Sequence, residues 1–134
     1  MEFRKENQHF VIRLEKGEKV VETLNNFVSE KSILGGFFQA IGAVSAAEIG
    51  YYDLERKSYL WKSFHEEMEV VSMMGSITET GIHAHVVLAD KTFHTYGGHL
   101  KEATVAATLE VFLTEMKKIR RKEHPEVGLK LMEL

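Results

Sequence analysis

The 134-residue sequence has no cysteine. Disulfides are therefore excluded, and any metal site must be built from His, Asp and Glu. It has one proline, Pro125, and no Ser/Gly-rich or low-complexity stretch between two halves of different composition, so residues 1–134 read as a single domain. No stretch approaches the ~20 apolar residues of a membrane span. Met1 to Glu6 is charged where a secretory leader is apolar. These absences predict a cytoplasmic protein with no membrane partner. A basic excess is missing too: 17 Lys+Arg face 20 Asp+Glu, a net charge of −3, whereas nucleic-acid binders carry surplus cations to neutralise phosphates. The phosphate-loop, dinucleotide and nucleophile-elbow patterns are absent as well.

What is present is the balance of a globular chain, 44% hydrophobic against 28% charged, at a length that buries enough surface for a core. Residues 9–15 alternate Phe10, Ile12 and Leu14 with mostly polar neighbours and read as a strand, closed by the turn signal Lys16-Gly17. Over 18–31, Val20, Val21, Leu24, Phe27 and Val28 recur at three- and four-residue spacing, which predicts a helix. Extended segments are expected over 37–53, broken near Ser45, followed by a polar turn at 55–58 and strand at 59–61. Further strands are expected over 68–77, 82–88, 92–96 and 105–113. The basic stretch 115–121 suggests a helical turn, and 127–134 a short apolar terminal segment. The sum is an α+β fold: one main helix and a largely antiparallel or mixed sheet.

The residues best suited to chemistry are His83-Ala84-His85 and, a few positions on, His94 and His99. Residues i and i+2 of a strand face one side about 6.6 to 6.8 Å apart, so His83 and His85 can converge on one ion. The third ligand must come from elsewhere. His94 falls in an expected strand and faces solvent, while Gly97-Gly98 frees the backbone to aim His99 inward. Three histidines with one open position suit a catalytic or ligand-polarising zinc; the ordinary alternative is polar-face histidines bonded to backbone. His9, His65 and His124 stand alone. Glu102 and Glu110 are candidates to orient a ligand imidazole or move protons, set against the plainer role of a solvated face. The run 117–122 is basic but flanked by Glu115 and Glu123, the pattern of a solvated end.

The segments Ala40-Ile41-Gly42-Ala43-Val44, Glu69 through Ile77, His83 through Asp90 and Gly97-Gly98-His99-Leu100 occur in that order and spacing. Together they resemble the plants-and-prokaryotes-conserved (PPC) domain, a family whose members are commonly labelled candidate DNA-binding or regulatory proteins. The likeness runs roughly from His9 to Leu113. It implies a compact homotrimer and, in the prokaryotic branch, a zinc ion held by His83, His85 and His99. It also implies a fold similar to that of acetolactate decarboxylase, which brings in a zinc-dependent enzyme acting on a small oxygenated substrate; a purely structural metal is the further reading. Plant relatives pair the domain with an AT-hook, which this chain lacks. Their Gly-Arg-Phe-Glu-Ile-Leu motif aligns with Glu66-Glu67-Met68-Glu69-Val70-Val71, with Glu67 in place of the arginine. Both departures, with the net charge, weigh against DNA as a partner and leave a small-molecule ligand in view.

Overall fold

Alternation of apolar and polar side chains governs most of the chain, and a computed structural model, describing residues 1–133, folds it mainly as strands. The order is β1 (Glu2–Glu6), β2 (His9–Glu15), α1 (Val20–Glu30), β3 (Gly36–Asp53), β4 (Ser58–Phe64), β5 (Met68–Thr78), β6 (Gly81–Ala89), β7 (Thr95–Glu115), β8 (Arg120–His124) and β9 (Leu129–Glu133). Seven strands form one antiparallel sheet in the order β1-β2-β7-β6-β5-β3-β4. An additional β7–β3 pairing closes β3, β5, β6 and β7 into a ring. β8 and β9 pair separately as a hairpin.

α1 covers one face of this sheet. Val20, Leu24, Phe27 and Val28 join Ile12, Leu14, Phe38, Met73, Val86 and Leu109 in one buried cluster, and Phe27 meets Phe10 edge-on at 5.4 Å. Cross-strand partners share a face of a sheet, so Met73, Val86, Ala40 and Val111, which are paired in register, all point toward α1. Their neighbours Met74, His85, Gln39 and Phe112, also in register, point the other way.

Several expectations are corrected. Residues 92–94 are not strand: the Asp90 carboxylate accepts hydrogen bonds from the Thr92 and His94 backbone N–H groups at 2.8 and 3.1 Å, folding a turn that ends where β7 begins. The expected break near Ser45 is a pair of register shifts between Gly42 and Ala46 within continuous strand β3, because bulges absorb the irregularity without ending the ladder. The helical turn expected at 115–121 is replaced by the approach to β8. Glu2–Glu6, a charged segment with one apolar residue and no alternation, is an exposed edge strand beside β2.

Candidate metal centre

β6 sends His83 and His85 to the sheet face away from α1, and the His85↔His99 pairing of β6 with β7 sets His99 beside them. One ligand-capable atom from each of the three lies within 4.8 Å of the other two. The ring centroids of His83 are 5.1 Å from those of His85 and 4.9 Å from those of His99. Two glycines permit the approach. A Cβ on Gly98 would sit 2.6 Å from the Gly50 carbonyl oxygen, and one on Gly50 would strike the Trp61 ring at 2.6 Å. The pairing Gly50↔His99 and the indole beside it therefore require bare backbone at both positions.

The electrostatics favour neutral imidazoles. Burial, then the neighbouring charges of His99, Arg121 and His85, pushes the His83 pKa down to about 4. Burial and His85 lower that of His99. Neutral imidazole is the form that ligates a metal. His99 Nδ1 is buried with no hydrogen-bond partner. Such a nitrogen costs about 1–3 kcal/mol when left unsatisfied, and an ion bound at it would relieve that cost. The donor set, three imidazoles without a thiolate, suits zinc and similar divalent ions.

Two further walls went unread in the sequence. Tyr59 and Trp61 of β4 stack on each other at 4.7 Å and lie 4.9 and 6.0 Å from the His99 ring; their i, i+2 spacing in a strand was the available signal. Arg121 of β8 reaches His83 Nδ1 at 3.4 Å, a contact no local pattern announces.

The other candidates lie apart. His94 is engaged in the Asp90 turn, with Nδ1 2.8 Å from Thr92 Oγ1. Glu102 serves α1 instead: its carboxylate accepts the Val21 and Glu22 backbone N–H groups at 2.7 and 3.2 Å. It thus caps a helix whose own Lys19 supplies no side-chain cap. Glu110 lies at the β2–β7 junction opposite Arg13. Among the described residues, the histidine cluster includes no carboxylate. Within the basic run, Lys118 pairs with Glu79 at 2.7 Å.

Next to the histidines the same face is apolar and open. Met74, Ile41 and Phe112 are 63, 55 and 48% exposed, and they line a groove of about 250 Å³ with Gln39 and Val71. Met74 pairs directly with His85, so patch and cluster adjoin.

An antiparallel sheet, partly closed on itself, with one helix packed on its buried face and three imidazoles on the other, defines a small β-rich domain able to hold a metal ion. Residues 1–117 match the Plants and Prokaryotes Conserved (PCC) domain, and the chain belongs to that family. It is similar to the bifunctional protein GlmU of two Synechococcus strains, at 28% and 26% identity over 127 residues. Those matches cover 93% of this chain and 20% of each relative, so the chain spans about a fifth of the length of the curated relatives it matches. Among solved structures, a candidate DNA-binding protein from Bacteroides thetaiotaomicron superposes with a TM-score of 0.94 at 25% identity, over 98% of this chain and 96% of that one. A metal-containing protein from Archaeoglobus fulgidus does so with 0.86 at 34% identity, over 100% and 99%. An acetolactate decarboxylase from Bacillus subtilis, 12% identical with a TM-score of 0.58 over 90% of this chain and 58% of that one, shares the fold alone.

Proposed function

We propose that the chain, one PCC-type unit over residues 1–134, is a homotrimeric metalloprotein that holds zinc through His83, His85 and His99 and acts on a small oxygenated ligand. The carrying observation is the meeting of three imidazoles within 4.8 Å. Two of them are held toward the neutral form by burial. The likeness to a metal-containing relative from Archaeoglobus fulgidus agrees with this reading. A zinc ion with three protein ligands keeps a position for a ligand from solution and polarises its oxygen. The purely structural reading would need a fourth protein ligand, and the described residues offer none within the cluster. Tyr59 and Trp61 supply a flat apolar wall beside His99, which would exclude water from one side of such a ligand. The exposed patch of Met74, Ile41 and Phe112 gives the trimer an apolar surface to bury.

Protein purified without chelator should carry about one ion per chain by elemental analysis. His83→Ala and His99→Ala should lose it, and His124→Ala should keep it. Equal metal in wild type and His99→Ala removes His99 from the centre.

The names of several solved relatives favour a second reading, duplex DNA binding. The net charge of −3, tripled in a trimer, opposes it. No binding is expected at ~150 mM salt, with at most sequence-independent binding near ~20 mM. A site-specific complex surviving competitor DNA at the higher salt would establish the DNA reading instead.

A further inference from the structure

We propose that Arg121 is the anion-recognising group of the three-histidine centre and that the ligand it selects is a small carboxylate; this rests on the metal reading above. Arg121 lies outside the family match, which ends at residue 117, on the β8–β9 hairpin that reaches back over the sheet. The hairpin is fastened by the Tyr52 hydroxyl donating to the Val127 carbonyl at 2.9 Å and by Lys57 Nζ donating to the Pro125 carbonyl at 2.8 Å. The preceding Ile119 N–H donates to the Leu34 carbonyl. The guanidinium is held at both ends: Nη1 donates to the Lys130 carbonyl at 2.9 Å, and Nη2 to Ser76 Oγ at 3.1 Å and toward His83 Nδ1 at 3.4 Å.

Two features set this cation apart. Lys118, three residues earlier, is neutralised by Glu79, whereas no carboxylate among the described residues pairs with Arg121. The partners of its guanidinium are all neutral, and it stands against the cluster that, among the described residues, is able to hold a metal ion. The contact with His83 is also conditional. A neutral imidazole has one N–H and one lone pair. An ion on His83 takes that lone pair, either at Nδ1 itself or at Nε2 with the proton then placed on Nδ1. Either way Nδ1 stops accepting from Arg121. The guanidinium, still tethered by Ser76 and Lys130, is left beside the ion with a free N–H and an uncompensated charge. A carboxylate offers two oxygens in the plane that a guanidinium recognises and supplies the missing negative charge, whereas a neutral carbonyl or alcohol does not.

Cobalt(II), whose visible absorption reports its ligands, replaces the native ion in the test, with acetate as the probe and acetamide as its uncharged counterpart. Wild-type protein should show a cobalt spectrum that shifts with acetate and far less with acetamide. Arg121→Gln should keep the cobalt spectrum and weaken the acetate response by about tenfold or more. Arg121→Lys, which keeps charge but not the planar fork, should fall between them, and it carries the comparison if Arg121→Gln fails to fold. Equal acetate affinity in wild type and variant, with cobalt bound in both, overturns the role of Arg121 and leaves the metal centre standing. Absence of a cobalt spectrum in wild type overturns the centre, and the role of Arg121 with it.

Discussion

On the sheet face turned toward α1, Ile12, Leu14, Val86 and Leu109 are at most 3% exposed, while on the opposite face Met74, Ile41 and Phe112 stay about half exposed beside three histidines. Both faces come from the same strands, often from adjacent residues: Met73 is sealed and Met74 open, Ala84 is buried and His83 and His85 flank it. Stability and chemistry are thus separated by the two-residue period of the strand. Side chains of the inner face are fixed by packing, so those of the outer face are free to be chosen for what they bind.

This division is open to direct attack. Phe27→Ala should destabilise the fold by about 3–5 kcal/mol, since it empties an edge-on aromatic contact in the sealed core. Ile41→Ala should change the stability of a dissociated chain by only about 0.5 kcal/mol. Denaturation curves of the two variants decide it, and equal losses would mean that the faces are not distinct. Met74→Asp should leave the chain folded but dissociate the proposed assembly, and light scattering should then move from three times 15.3 kDa to 15.3 kDa. A wild-type monomer at micromolar concentration would contradict the trimer.

A smaller effect is expected from Glu102. Glu102→Ala removes the remote cap of α1 and should destabilise by about 0.5–2 kcal/mol, with metal content unchanged; lost metal would instead place Glu102 in the centre. A further effect concerns protons. In chelator-treated protein, His83 titrates near 4 when folded and near 6.5 when unfolded. Above pH 6.5 neither form is charged and His83 adds no pH dependence. From about 6.5 down to about 4 the unfolded chain binds a proton that the folded chain refuses, so stability falls with falling pH, and below 4 the loss is complete. His99 acts in the same direction. His83→Asn should flatten this slope in urea midpoints measured across that window.

The sequence was legible where a single period ruled. The 3.6-residue recurrence of Val20, Leu24, Phe27 and Val28 located α1, observed at Val20–Glu30, and the His83-Ala84-His85 alternation told which imidazoles share a face. The His99 pairing depended on glycines that remove steric bulk at a strand crossing, a feature composition can suggest and the register makes specific. The capping contact of Glu102 has no local signature, because its partner, the start of α1, is about 80 residues away in the chain. Arg121 was passed over as part of a solvated basic run: its neighbours Lys117, Lys118 and Lys122 fit that description, and only the hairpin, folding back over residues 34 to 83, brings one of the six to the histidines. Long-range placement of this kind leaves no local periodicity to detect.

The fastening of the β8–β9 hairpin carries one more consequence. Tyr52 and Lys57 grip it through the carbonyls of Val127 and Pro125, and within it Arg121 binds the Lys130 carbonyl, atoms that every amino acid supplies. The hold therefore depends on the path of the backbone and not on which side chains stand at those three positions.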